Sequence, residues 1–236
     1  LDEAFENINE VYHCAAFISF NNQDLNAMKK INISGTANMI NCALDKKISK
    51  FCYVSTIAAV GETTNSLIDE ECEWKENNNP YSETKHYAEL EVWRGISEGL
   101  NAVIVNPGVI VGSGFWKRGS GAFITQVSRG MSYYPTGETG FICVKDVVKI
   151  MIQLMNKNIF SNRFILVAEN WTQRDFINSI CKYFNMTPPV KKASKGIMYF
   201  GLLLDFLRSK LLNKRRRLSR SIIKSGQSLN KYSNKK

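Results

Sequence analysis

The chain has 236 residues, of which 44% are hydrophobic, and that is enough for one domain with a sizeable core. No stretch reaches the roughly 18 uninterrupted apolar residues of a membrane-spanning helix, and no basic region followed by an apolar core marks a secretory signal. The formal net charge of +10 is carried by residues 201–236, which hold eleven basic residues and one acidic residue, so the first 200 residues are neutral overall.

The first part of the chain alternates apolar strands with a helix. Residues 10–18 and residues 50–56 are predicted to be buried strands, and residues 24–44 between them are predicted to be helical. The apolar stripe of this helix is predicted to contain Met28, Ile31, Ile40 and Leu44. Two apolar strands joined by a long helix form a βαβ unit, so we expect the two strands to be parallel.

The alternation continues along the chain. A helix is predicted from Pro80, a residue that is accepted in a first helical turn, to Gly99, and a buried strand is predicted over 101–111. Further on, the pattern predicts a short helix capped by Asp146, a strand over 164–168, and a helix that starts at Thr172. This order predicts an α/β fold with a mostly parallel sheet, in which ligands bind beyond the carboxyl ends of the strands.

The strongest chemical signal is the motif YSETK at 81–85, at the start of a predicted helix. Tyr81 and Lys85 share one helix face, and an ammonium close to a phenol lowers the pKa of the phenol. A tyrosine of this kind can exchange a proton with a substrate hydroxyl near neutral pH. On its own, this spacing is more often that of a solvated helix face.

A second signal, a pair of hydroxyl residues, supports the catalytic interpretation. Ser55 and Thr56 end a buried strand, where a hydroxyl can donate a hydrogen bond to a carbonyl oxygen that gains charge during hydride transfer. A Ser/Thr pair is also common at strand ends and turns.

The small residues that follow the first strand, in VYHCAA at 11–16, would let a flat or charged ligand approach the backbone, although strand packing also explains them. His13 is interpreted as a structural, hydrogen-bonded histidine. Six cysteines without a Cys-x-x-Cys pair indicate a reduced, cytoplasmic protein without a disulfide framework. With only two histidines, no metal site is expected.

Taken together, these elements resemble the extended short-chain dehydrogenase/reductases, also called the NAD-dependent epimerase/dehydratase family. The matching segments are VYHCAA at 11–16, NISGTANMINCA at 32–43, FCYVSTIAAVG at 51–61, PYSETK at 80–85, NPGVIVG at 106–112 and FICVKDVV at 141–148. The resemblance covers residues 1–170 well. It implies a Rossmann-like, doubly wound parallel sheet with a small C-terminal substrate region, and NAD or NADP as cofactor.

The resemblance also implies a role for each matching position. Tyr81 would be the acid/base, Lys85 would bind the nicotinamide ribose, and Thr56, with Ser55 as the nearby alternative, would polarise the substrate carbonyl. Asn32 would brace the strands or hold a water. The implied cofactor-lining positions are Ala15, Ala16, Tyr81, Lys85, Pro107 and Val109.

Two departures from the family pattern refine the resemblance. The segments 59–61 and 106–112 look more like the dihydroflavonol 4-reductase and 3β-hydroxysteroid dehydrogenase branch, which acts on hydroxyl/ketone pairs of hydrophobic ring substrates, than like sugar-nucleotide epimerases. The family's G-x-x-G-x-x-G turn, which holds the pyrophosphate, has no counterpart before Val11. Because the chain also begins with Leu1, we expect that the first βα units are missing and that residues 1–236 alone bind dinucleotide weakly.

The predicted organisation has three parts: a partial dinucleotide-binding domain with the catalytic residues over 1–112, a mixed substrate-binding region with returning core elements over 113–212, and a basic tail over 213–236. The apolar stretch 195–212 and the basic run 214–217 leave two interpretations open. They form either a substrate-domain helix with a solvated basic end or a basic amphipathic helix on an anionic membrane surface. Nucleic-acid binding is not expected because no aromatic stacking platform accompanies the charge.

Three functions remain open at this point. The leading hypothesis is an NAD(P)-dependent oxidoreductase that interconverts a secondary alcohol and a ketone on a small-molecule substrate. The alternatives are a nucleotide-sugar epimerase or dehydratase with retained NAD, and a non-catalytic protein that senses dinucleotide or docks on a membrane. A homodimer is one candidate assembly.

Overall fold

The chain is described here by a computed structural model, which covers residues 1–61, 67–76, 79–212 and 219–236. It divides into two compact units. The first comprises Leu1–Gly108, Ile142–Ala168 and Tyr232–Lys236, and the second comprises Val109–Phe141 and Glu169–Lys231. The predicted basic run 214–217 lies outside the described residues, and the predicted functional boundaries at 112 and 212 stay predictions.

The strands of the described residues are short and are spread over both units. They are β1 (Glu10–His13), β2 (Lys50–Val54), β3 (Ala102–Pro107), β4 (Val109–Val111), β5 (Tyr133–Tyr134), β6 (Glu138–Cys143), β7 (Asn162–Leu166), β8 (Glu169–Thr172) and β9 (Lys191–Lys192).

The helices between them carry most of the side chains discussed below. They are α1 (Leu25–Met28), α2 (Gly35–Asp45), α3 (Pro80–Ser97), α4 (Gly119–Ser128), α5 (Val144–Asn156), α6 (Gln173–Tyr183), α7 (Lys195–Leu211) and α8 (Arg220–Ser225).

A parallel sheet with the strand order β1-β2-β3-β7 forms the centre of the first unit. In register, Tyr12 pairs with Cys52, and Cys52 pairs with Val103. The predicted parallel α/β fold is therefore confirmed. The first strand is shorter than predicted, because β1 ends at His13 and the chain then turns away from the sheet.

Helices α2 and α3 pack on one face of this sheet. Their shared core contains Ile40, Ala43, Phe51, Tyr53, Ala88, Val92 and Ile104. Side chains alternate along a strand, so Cys52 and Val103 are buried on the opposite face, and α5 packs against β2 and β3. The carboxyl ends of β1, β2 and β3 thus lie together at one edge of the sheet.

Two local predictions were wrong. Ile31 is 46% exposed although it was placed on the buried stripe, because the π-helical stretch Lys29–Ser34 departs from the 3.6-residue period on which that stripe was drawn. Asp146 does not cap its helix, since α5 begins at Val144 with Cys143 as its N-cap. Asp146 lies in the first turn instead, where a carboxylate is stabilised by the helix dipole.

The second unit has smaller sheets and its own core. Strands β4, β6 and β8 form one sheet, in which β6 and β8 are antiparallel, and β5 pairs with β9. The core joins α4 and α6 through Val127, Ile177, Ile180 and Cys181. Thr172 caps α6 by accepting a hydrogen bond from the Asp175 amide at 3.1 Å, which confirms the predicted start of that helix.

Candidate active site

The candidate site begins where β2 ends and α3 starts. Thr56 caps the short turn Ile57–Ala59, and its hydroxyl accepts a hydrogen bond from the Ala58 amide at 3.3 Å. Asn79 caps α3 by accepting from the amide of Tyr81 at 3.1 Å. Ser82 donates to the Ala58 carbonyl at 2.6 Å, so the turn after β2 is held against the first turn of α3. These local caps fix the positions of Thr56 and Tyr81.

Tyr81 is half-buried, and its side chain interacts with that of Thr56. Its ring also meets the edge of Phe20, with the ring centroids 6.0 Å apart. Burial raises the pKa of Tyr81 to about 12, and a hydrogen bond with Thr56 opposes this increase. The expectation that Lys85 lowers this pKa is not met in the structure. Tyr81 is therefore protonated at neutral pH.

Lys85 is buried, with 1% of its surface exposed, and its ammonium is bound by Tyr53 rather than Tyr81. Its Nζ donates to the Tyr53 hydroxyl at 2.6 Å and to the Val54 carbonyl at 2.9 Å. Burial lowers the pKa of Lys85 to about 8, and the nearby carboxylate of Glu89 opposes this decrease. An ammonium has three donors, so one remains for a ligand.

Tyr53 is a residue of the site that the sequence pattern did not single out. It is fully buried in β2, and burial raises the pKa of its hydroxyl. The available signal was a tyrosine within a wholly apolar strand, since a buried phenol normally finds a hydrogen-bond partner. The identity of that partner depends on how α3 packs on the sheet.

His13 acts as a structural residue, as predicted. Its Nε2 lies 3.1 Å from the Thr36 hydroxyl on α2, and its ring centroid is 5.5 Å from that of Tyr53. Burial, together with the positive charge of Lys85, lowers the pKa of His13 to about 4. A neutral imidazole at this position joins β1 to α2.

A buried ionic network lies one turn beyond Lys85. Glu89 on α3 forms an ion pair with Arg163 of β7 at 3.0 Å. It also accepts a hydrogen bond from the side-chain amide of Asn106 at 2.9 Å. The same side-chain amide of Asn106 donates a hydrogen bond to the Thr56 carbonyl at 3.0 Å. The network therefore supports the backbone of Thr56 from within the fold. The pairing of Glu89 with Arg163 could not be predicted from the sequence, because nothing in the local pattern of either residue marks it as an ion-pair partner.

Asn32 holds the segment that follows β1. Its side chain accepts from the Phe17 amide at 2.7 Å and donates to the Phe17 carbonyl at 3.0 Å. It also donates to the Thr84 hydroxyl on α3 at 3.1 Å. Asn32 thus braces the chain after β1 against α3, which agrees with the bracing role inferred from the resemblance.

The other predicted site residues lie in different environments. Ala15 and Ala16 are exposed just beyond the carboxyl end of β1, and Pro107 is buried at the end of β3. Val109 begins β4 and belongs to the second unit. The Ser55 side chain is buried, and its hydroxyl has no hydrogen-bond partner among the described residues. Thr56, rather than Ser55, is thus the hydroxyl that meets Tyr81.

These residues suit the nicotinamide end of a dinucleotide. The exposed alanines leave room for a flat group at the end of β1, and Lys85 retains one donor for ribose hydroxyls. The first glycine of the chain is Gly35, so a glycine-rich turn that could hold a pyrophosphate does not occur within residues 1–34.

A family model described as the NAD dependent epimerase/dehydratase family matches residues 1–168. The chain belongs to this family. The prediction of an extended short-chain dehydrogenase/reductase with a Rossmann-like fold is thereby confirmed.

Individual relatives in the family differ in what they do. The sterol demethylase protein B of Methylococcus capsulatus is 28% identical over 176 residues, which are 72% of this chain and 53% of that protein. Cinnamoyl-CoA reductase 1 of Petunia hybrida is 25% identical over 209 residues, 82% of this chain and 61% of the relative. The chain thus spans just over half the length of these relatives.

A solved structure has a similar fold. The UDP-glucuronic acid 4-epimerase from Bacillus cereus, in complex with NAD, matches with a TM-score of 0.71 at 18% identity. The match covers 96% of this chain and 73% of the epimerase chain. At this identity, the likeness supports the fold and not the reaction.

Proposed function

We propose that the full-length protein is an NAD(P)-dependent oxidoreductase that reduces a ketone to a secondary alcohol, and catalyses the reverse reaction. The observation that carries this proposal is the placement of Thr56 beside Tyr81, with Lys85 one helical turn away, at the carboxyl end of β2. Membership of the NAD-dependent epimerase/dehydratase family supports it.

Tyr81 is the proton donor in this proposal. The hydride that reaches the carbonyl carbon would come from a bound nicotinamide. Because its pKa is about 12, Tyr81 holds its proton at neutral pH and can give it to the carbonyl oxygen as that oxygen gains negative charge. The phenolate that results is reprotonated from solvent, so the substrate gains one hydride and one proton.

Thr56 and Lys85 assist this proton transfer. The Thr56 hydroxyl donates a hydrogen bond to the same substrate oxygen, which stabilises the developing charge. Lys85 uses its remaining donor for the ribose hydroxyls of the cofactor, while its bonds to Tyr53 and the Val54 carbonyl fix its position. Ala15, Ala16 and Pro107 of the first unit complete the proposed cofactor contacts.

The proposed substrate class is a carbonyl on a hydrophobic compound. Relatives described as a sterol demethylase protein and a cinnamoyl-CoA reductase support this class. The proposed cofactor is NAD or NADP, and NAD is the dinucleotide in the Bacillus cereus epimerase complex.

The decisive experiment replaces the proposed proton donor. Tyr81→Phe in the full-length protein should lower turnover of NADH or NADPH with a ketone panel by about 10³-fold, since general acid catalysis contributes on this scale. The matched control is Tyr87→Phe, because Tyr87 lies on the same helix and is 43% exposed. The control should keep wild-type turnover.

Wild-type turnover in Tyr81→Phe would overturn the proposed mechanism. Purification with a tightly retained NAD that does not exchange would instead favour a nucleotide-sugar epimerase or dehydratase.

A further inference from the structure

Helix α7 exposes a continuous apolar face. We call this surface the outer face of α7, and it consists of Tyr199, Phe200, Leu203, Leu204, Leu207 and Leu211. Each of these side chains is between 44% and 82% exposed. Contiguous apolar surface of this kind is uncommon on a soluble protein and marks an interaction site.

The polarity of α7 is reversed relative to an ordinary surface helix. A surface helix normally turns its apolar stripe toward the core and its charges toward water. On α7 the buried side carries Asp205, which is 8% exposed and binds Arg208 at 2.7 Å. Because Asp205 and its partner Arg208 lie on the side of α7 that packs against the protein, the apolar side chains of the outer face are exposed.

Positive charge follows the apolar part of this helix in the sequence. Lys210 is exposed in the last turn of α7, and Arg220 and Lys224 lie on α8. In sequence, residues 214–217 add four more basic residues, and Asp205 is the sole acidic residue from 201 to 236. The segment that contains the outer face therefore carries a strong net positive charge.

We propose that the outer face of α7 docks on an anionic phospholipid surface, with the helix lying in the plane of the membrane. Leucine and aromatic side chains insert among the lipid chains, and the basic residues bind lipid phosphates. No helix among the described residues is long and apolar enough to cross a bilayer.

Charge decides against a second copy of this chain as the occupant. Two copies that met through this face would bring together two segments, each with nine basic residues and one acidic residue over residues 201–231 of the second unit. Like charges repel one another at an interface, whereas an anionic lipid surface attracts the same segment.

The test is vesicle flotation of the full-length protein. The protein should float with phosphatidylcholine vesicles that contain phosphatidylserine and should stay behind with pure phosphatidylcholine vesicles. Raising the salt from about 0.1 M to about 1 M should release it, because the Debye length falls from about 10 Å to about 3 Å. This measurement uses the unmodified protein, so it does not depend on the folding of any variant.

A pair of substitutions then tests the apolar face itself. Leu203→Gln with Leu207→Gln should weaken vesicle binding by about 10-fold or more, because two side chains no longer gain from burial in lipid. The matched control is Tyr183→Gln with Val190→Gln, two side chains that are 82% and 78% exposed outside α7. The control should bind vesicles like the wild type.

Three results would each overturn the proposal. They are no flotation with anionic vesicles, equal binding of the Leu203/Leu207 variant and the wild type, and concentration-dependent self-association that the Leu203/Leu207 substitutions abolish.

Discussion

Helices α3 and α7 both depart from the rule that polar side chains face water, and they do so in opposite directions. Helix α3 buries Ser82, Thr84, Lys85 and Glu89, and each of these is held by a hydrogen bond or an ion pair. Helix α7 exposes the six side chains of its outer face. Polar groups kept inside position a reaction centre, and apolar groups kept outside offer a docking surface.

The energetic consequences of the two departures differ as well. A buried charge without its partner is costly, so every polar group on the inner side of α3 depends on its neighbours. An exposed leucine costs little in a monomer and contributes free energy only when something covers it. The two helices should therefore respond in opposite ways to the exchange of polar and apolar residues.

The largest effect on stability is expected for Glu89→Leu. It removes the buried carboxylate that pairs with half-buried Arg163 and accepts from the buried Asn106 side chain, and breaking a buried pair costs up to about 3–5 kcal/mol. The reciprocal exchange on α7, Leu207→Gln, should change the free energy of unfolding by less than about 0.5 kcal/mol, as is usual for surface positions.

Urea denaturation of the two variants measures this contrast. Glu91→Gln serves as a control on α3, since Glu91 pairs with Arg94 at the helix surface. Equal losses in the Glu89 and Leu207 variants would break the comparison between the two helices.

A smaller effect on the free energy of unfolding, limited to acidic pH, is expected from the titration of His13. Its pKa falls from 6.5 in the unfolded chain to about 4 in the fold, so the unfolded state binds the proton more readily. The folded state therefore loses stability as the pH drops from 6.5 toward 4, and His13 has no such effect above this range. The loss should be about 2–3 kcal/mol.

His13→Gln isolates this contribution. Glutamine can still hydrogen-bond Thr36 but does not titrate, so the free energy of unfolding of the variant should fall less steeply than that of the wild type between pH 6.5 and 4. Parallel pH profiles for the two proteins would mean that the pKa of His13 is the same in the folded and the unfolded chain, which would contradict the lowered value.

Much of the fold could be predicted from periodicity and helix caps. Apolar strands separated by helices gave the parallel sheet, Pro80 marked the start of α3, and Thr172 with Asp175 marked the start of α6. Each of these signals is local, since a few adjacent residues determine the strand, turn or cap.

The features of the site that could not be predicted from the sequence depend on packing between distant segments of the chain. Lys85 reaches Tyr53 and Glu89 reaches Arg163 only because α3 lies across the sheet, and neither pair has a sequence spacing that marks it. The expected lowering of the Tyr81 pKa by Lys85 also depended on packing, since the Lys85 ammonium donates to Tyr53 and burial raises the pKa of Tyr81. The π-helical stretch Lys29–Ser34 departs from the 3.6-residue helical period, on which the predicted apolar stripe depended.

The central claim is that Thr56 and Tyr81 act on one substrate oxygen as a unit, and a double-mutant cycle tests it most directly. Thr56→Val should lower kcat of the full-length protein by about 10²-fold when Tyr81 is present. In the Tyr81→Phe background, the same substitution should lower kcat by less than about 3-fold, because groups that act as a unit are not additive. A loss of about 10²-fold in both backgrounds would show that the two residues act independently and would contradict the account.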